Sequence, residues 1–464
     1  MNLRRMACFG LGIVFLAVVV TLISVSKETT PTVNGLAISK WLRSSGGRYV
    51  GQAAEAGTNA IPCLARLARA HDLIPYNWSI KAWSALPRSL RLKVRPPVAA
   101  SEVRSRALEA LGGFGSEAER ELAVVIRAAT NDTDLTVWNC ALRAAVAIDA
   151  YHPQVLALLE RDLRSSDPVV RGSAMAAFWN TGICPRAVTN LILLDPHDKN
   201  QIFLEELLVL SVLGSDAAPF VPRIVPFLAD DSTRMNALIA LQRVGPGGIA
   251  AVPALIACLR SPETKARPRA AAALMDIGAP ATDAVPALET AMRDQELATR
   301  VLAAIARWRI TGDPSLSAPV IFAALQAEDD GSPWILPQGT FGLFNFAFNG
   351  RQTALWFAGE LGPAAREMLP VLITQMGTGS DWYRILAARS VWKIEGSPQR
   401  SLPVLQSCLN NRDENVRILA CHILGEIGPP AAPLLRDLAA AQRTTLATRR
   451  AAMKAIKAIH RQPG

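Results

Sequence analysis

The chain predicts an all-α, right-handed solenoid of stacked helix pairs, preceded by one N-terminal transmembrane helix. Three observations carry this: a cadence of arginine, alanine and glycine that returns about every 33 residues, a helical spacing of apolar residues inside each copy, and a twenty-residue uncharged run near the N-terminus.

The cadence places alanine three residues after an arginine and glycine eleven or twelve after it. It starts at Arg104, Arg171, Arg234, Arg267, Arg300, Arg351, Arg384 and Arg417; the copies at Arg300 and Arg384 run one residue longer. Trp138 and Phe203 stand where two further arginines are expected, Arg449 opens a terminal copy, and Gly46 to Gly57 reads as a worn first one. Only the step from 300 to 351, at 51 residues, breaks the period. About twelve units follow, and at roughly 8 to 10 Å between packed helices the stack is expected to be on the order of 100 Å long.

Each unit reads as two antiparallel helices. Val416, Leu419, Ala420, Ile423, Leu424 and Ile427 fall on one helical face. The segment after each glycine is a second apolar helix with proline near its start, as in Val252-Pro253 and Leu402-Pro403. Proline suits a first turn, where its missing N–H would lack a partner anyway. The glycine suits a left-handed helix stop, and the alanine keeps bulk low where helices of adjacent units meet.

The arginine opposes the helix dipole, because a cation in the first turn faces the positive end. Upstream acids offset this. Asp167 precedes Arg171, Asp230 and Asp231 precede Arg234, Asp294 precedes Arg300, and Asp413 precedes Arg417. These acids are expected to cap their helices and to pair with the arginine of their own or the next unit, giving a structural ladder that also takes in Arg267, Arg351 and Arg384.

This combination, with its glycine-proline turn, resembles the HEAT repeat in the bacterial form first noted in phycobilisome lyases, over roughly residues 57 to 464. The resemblance implies a scaffold or adaptor, with a few enzymes among its relatives. Hydroxylases of this kind use His-Glu pairs, and none of His71, His152, His197, His422 and His460 is followed by glutamate. No other cluster has metal-ligand spacing, so neither a metal nor another cofactor is expected. No residue set marks a bilin lyase, and no GxSxG, GxxxxGK[ST] or CxxC motif is present. A lyase-type enzyme with a dispersed site is the alternative.

A net charge of +10 permits nucleic-acid binding. The charge concentrates in Arg88 to Arg106 and in the last helix, from Arg436 to Arg461, where a solenoid needs a solvated cap. Residues 6–25 carry no charge and just span a hydrocarbon core of roughly 30 Å. Arg4 and Arg5 ahead of them place the N-terminus in the cytoplasm and the solenoid outside it, with secretion after cleavage near Ser26 as the alternative. Nucleic acid is an unlikely partner there. The seven cysteines are scattered singly and read as small core residues.

The expected organisation is thus an anchor over 1–26, a juxtamembrane segment and worn first repeat over 27–56, and a solenoid over 57–464 with inserts at 72–100 and 327–350. The first insert, with Trp78 and Trp83, reads as a cap over the end of the stack. Together with the segment 35–42 it resembles the N-terminal part of membrane-anchored bacterial HEAT-repeat proteins. The second concentrates Trp334, Phe341, Phe344, Phe346 and Phe348. Aromatics anchor interfaces, so these five are candidates for contact with an unidentified protein partner; the other reading is a lengthened helix that packs inward. The chain is read as a non-catalytic, protein-binding scaffold at a membrane.

Overall fold

The computed structural model describes residues 31–33, 36–44, 56–72, 75–87, 91, 96–191, 202–327, 334–335, 347–442 and 445–460. Among these, eleven helices take up the arginine cadence: Ala100–Phe114, Leu135–Asp149, Pro168–Thr181, Ile202–Leu213, Asp231–Val244, Ala266–Ile277, Leu297–Thr311, Gly350–Glu360, Asp381–Glu395, Glu414–Ile427 and Leu446–His460. A shorter helix precedes each of the regular ones, as Val252–Cys258 precedes Ala266–Ile277. Two ladders of two-residue strands interrupt the helical fold: Thr32–Val33 with Leu36–Ala37, and Trp334–Ile335 with Ala347–Phe348.

Sequence chemistry explains the helix ends. Outer helices such as Val252–Cys258, Val285–Ala291 and Leu402–Leu409 have proline within their first two positions. Two kinds of glycine stop occur. Gly312 and Gly396, in the copies one residue longer, are left-handed, whereas Gly278 takes φ 71° and ψ −145°, which turns the chain into a short 3-10 segment. That second conformation is essentially restricted to glycine.

The arginines do not face the dipole of their own helix. They reach back to the carbonyl end of the helix before it. Arg171 donates to the Ser165 and Ser166 carbonyls, Arg234 to Leu228 and Ala229, Arg300 to Asp294 and Gln295, Arg417 to Asn411 and Arg412, and Arg384 to Met376. The guanidinium thus meets the negative end of a dipole. Arg104 does the same with Ala70 across 34 residues, where six is the rule. The first insert therefore leaves and rejoins the stack at one place, with Asp72 receiving the Ala100 N–H there.

The acids divide into two roles. Asp167, Asp230 and Asp413 cap the helices that follow them. Asp294 instead takes a two-pronged bond, at 2.8 and 3.0 Å, from Arg267 of the preceding unit; Asp132 takes the same from Arg104. Asp231 pairs with Arg234 of its own unit at 2.6 Å, as expected, whereas Asp132 and Asp294 pair with the arginine of the unit before, the reverse of the expected direction for Asp294 and Arg300. Arg351 follows the second insert; its guanidinium lies 5.3 Å from the Tyr383 ring.

The stack is not extended. Inner helices pack directly on one another from unit to unit, while outer helices touch little across units. Small residues allow this. A methyl group added at Gly112, Gly359 or Gly425, each eight residues after its arginine, would lie 3.0 Å from Ala144, 2.9 Å from Ser390 and 3.3 Å from Ala455. Each of those residues is six after the start of the next copy. A tight inner and a loose outer layer bend the stack inward, far enough that Arg450 donates to the Gly113 carbonyl at 3.1 Å. The last helix, read as a solvated cap, closes on the second unit.

The candidate anchor at 6–25 lies outside the described residues. Asp231–Cys258 is long and apolar enough to cross a membrane by length and composition, but it is one unit's helix pair, joined by the 3-10 turn Gly245–Ala251. In the first insert no residue of the helix Tyr76–Ser84 is fully buried, Ile80 and Trp83 are half-buried, and Trp78 is 71% exposed. Ile38–Ser44 packs onto the first unit through Ile38, Trp41 and Leu42.

Arg267→Met removes a bidentate carboxylate pair and a carbonyl bond, while Arg300→Met removes carbonyl bonds alone. The first is expected to cost about 2 to 3 kcal/mol and the second about 1, read as shifts of the urea unfolding midpoint.

Candidate functional site

The ninth residue after the arginine sits in the last turn of each inner helix. Over six successive units it reads Arg243, Asp276, Arg309, Glu360, Lys393 and Glu426, with the sign alternating throughout. Because the stack curls, these six side chains line one cavity of about 570 Å³ together with Gly214, Gln242, Gly245, Trp356 and Arg389. The size suits a small ligand or one or two side chains of a partner.

The carboxyl ends of the inner helices converge here, so the dipoles favour the basic residues and oppose the acids. Each acid is held by neighbouring cations. Arg309 donates to Asp276 at 3.4 Å, and Lys393 donates to Glu360 at 2.9 Å. Arg389, four residues before Lys393 and 2% exposed, donates to Glu360 at 2.6 Å, to Glu426 at 3.0 Å and to the Trp356 carbonyl, with its guanidinium 3.3 Å from the Trp356 ring centre. This cation fixes the floor of the cavity between three inner helices.

The two halves differ electrostatically. Burial pushes the Glu360 carboxyl upward, but Arg389 and Lys393 outweigh it and leave the group below its ordinary value. At Asp276 burial wins over Arg309, Gln242 and Arg243, and its pKa rises to about 6. Burial also lowers the affinity of Arg243 and Arg269 for their protons.

Of the aromatic residues singled out in the second insert, Phe341, Phe344 and Phe346 lie outside the described residues. The backbones of Trp334 and Phe348 pair across the small hairpin, so the insert's two ends are not one lengthened helix. Trp138, in a degenerate copy, is a buried core residue. Burial raises the Cys408 thiol to about 11 and the Cys421 thiol to about 12, and both are free. Among the described residues no three His, Cys, Asp or Glu side chains assemble as a metal site. The cavity residues were missing from the sequence reading, although the signal lay in the cadence itself: the ninth residue alternates in sign as regularly as the first repeats.

A folded Asp276 takes its proton near pH 6, whereas an unfolded aspartate takes it near pH 4. The folded state therefore holds the extra proton between these values, and this residue's contribution to stability falls as pH rises through them and stays low above. Asp276→Asn is expected to stabilise the chain by about 2 kcal/mol near pH 7 and to lose that advantage below about pH 4, which parallel urea titrations check.

HEAT repeats match residues 369–457 as a family. No curated protein matches the sequence. Among solved structures, the chain is similar to the complex of CpcE and CpcF of phycocyanin lyase from Nostoc sp. PCC7120, at 20% identity and a TM-score of 0.37, over 54% of this chain and 91% of that one. It is similar to importin beta at 14% identity and a TM-score of 0.41, over 91% of this chain and 62% of that one. Kap121p bound to Pho4p aligns at 12% identity and a TM-score of 0.33, over 93% and 50%. Likenesses this distant bear on neither partner nor activity. The chain is an all-helical stack, with the HEAT-repeat pattern matched over its C-terminal units.

Proposed function

We propose that this chain is a non-catalytic scaffold that holds a partner protein at the hub of its curled stack and is tethered to a membrane by residues 6–25. The observation that carries the reading is the cavity: six repeats contribute one charged residue each, at one register, to a single opening. These charges also pair across units, as Arg309 does with Asp276 and Lys393 with Glu360, and the hydrogen-bonding capacity those pairs leave is open to recognition. Charged rows of this kind give specificity and register more than raw affinity.

The hairpin Trp334–Ile335 with Ala347–Phe348 rises where the period breaks, and insertions in a solenoid gather on a binding face. The membrane part rests on the uncharged run behind Arg4 and Arg5, and on the exposed helix Tyr76–Ser84. Its Tyr76, Trp78 and Trp83 are of the kind that sit at a membrane interface, beside Lys81 and Arg91.

Affinity capture with the intact, anchored chain is expected to return a protein that is lost on deletion of 330–347. Unchanged capture with unchanged folding removes the insert from the interface. A C-terminal reporter is expected outside the cytoplasm; a cytoplasmic reporter overturns the topology.

A further inference from the structure

From Thr58 to Ser101 the chain carries seven lysines and arginines against one acid, Asp72. That acid is already engaged, since it receives the Ala100 N–H at 3.0 Å. Charges of one sign without acids among them attract an opposite surface from a distance.

The stretch presents two exposed parts. On the first unit's outer helix, Ile61–Leu67, and the turn after it, Arg66, Arg69 and His71 line a groove of about 660 Å³ in which Glu121 is the one acid. In the insert, Tyr76–Ser84 shows Tyr76, Trp78 and Lys81 to solvent, with Ile80 and Trp83 half-buried on its other side. Trp78 is more exposed than any other large apolar side chain among the described residues. Arg91 returns to 6.0 Å from the Trp83 ring, which keeps a further cation at this helix. Four steps of chain, from Asp72 to Tyr76, join groove and helix and span at most about 14 Å.

The path of the chain says what this surface meets. The uncharged run 6–25 ends six residues before Pro31, a reach of at most about 20 Å. The Pro31 carbonyl accepts the Ile38 N–H, and Ile38–Ser44 packs onto the first unit. The run therefore joins the stack at the end that carries the basic surface. An indole at headgroup level and cations on lipid phosphates are complementary anchors at a bilayer.

We infer that this end of the stack lies on the bilayer, with Arg66, Arg69, Lys81 and Arg91 on anionic headgroups and Trp78 in the interface. The chain thus makes a second, lipid-selective contact beside its spanning segment. The inference rests on the tether proposed above and adds the class of lipid and the end of the stack that faces it.

The test uses the full chain in nanodiscs of brominated phosphatidylcholine, alone or with about 30% phosphatidylglycerol. Tryptophan quenching in the wild type minus that in Trp78→Phe isolates Trp78. It is expected to be several-fold greater in the anionic discs and to fall as salt is raised to about 0.5 M. R69Q/K81Q/R91Q should bring it down to the neutral-lipid value with an unchanged urea midpoint, since all three side chains are exposed. Equal quenching in both lipids overturns the selectivity, and quenching in neither overturns the contact. Loss of quenching on adding a stoichiometric DNA duplex, or millimolar inorganic phosphate at constant ionic strength, overturns the lipid assignment. A chain that elutes apart from the discs overturns the tether instead. Sedimentation with vesicles of the two compositions then decides the surface by itself: binding to the anionic ones alone, weakened about fivefold for each charge removed, upholds it, and binding to neither overturns it.

Discussion

Everything in this stack depends on an arginine in the first turn of one helix that caps the last turn of the helix before it. Taken alone, a cation at that end of a helix is misplaced. Taken with its target it is well placed, because the Ser165, Leu228, Asp294 and Asn411 carbonyls it reaches are the unsatisfied acceptors of an outgoing helix. One side chain thus fixes the turn inside a unit. Where a second acid is available ahead of it, at Asp132 or Asp294, the same side chain also sets the spacing to the next unit.

Curvature follows from what that spacing leaves on each side. Inner helices close up on glycine and alanine, outer helices splay, and the carboxyl ends of the inner layer are drawn toward one centre. The first and last parts of the stack then meet through Arg450 and Gly113. A single hydrogen bond does not hold a solenoid closed, since an exposed pair is worth little. It records the bend that packing between successive units has already imposed.

The helix pairs, their prolines, their glycine stops and the core alanines were legible in the sequence, because each is a local requirement repeated in every copy. Ala107, Ala174, Ala237, Ala270, Ala354 and Ala420 are all fully buried. The direction of pairing was not legible. Asp294 lies six residues before Arg300 yet pairs with Arg267, 27 residues away, because helix geometry points the side chains of adjacent units toward each other. Nor was the length of the stack, since a repeat count gives a contour and curvature depends on contacts between units. The cavity lay between these cases. Its residues share one register and can be read off the chain, but their convergence needs the bend.

The alternation at that register has a physical logic of its own. A ring of like charges at converging helix ends would repel itself, and a ring of acids would do so against the dipoles as well. An apolar ring would simply pack shut, as the eighth position does at Met275 and Trp308. Alternating signs keep the opening polar, since each acid is held by the cation beside it, and they keep it nearly neutral, so that the choice of ligand falls to local departures from balance. Glu360 and Glu426 are balanced by Arg389 and Lys393. Asp276, between Arg243 and Arg309, is outnumbered. That departure from balance sets one corner of the opening apart from the rest of the ring.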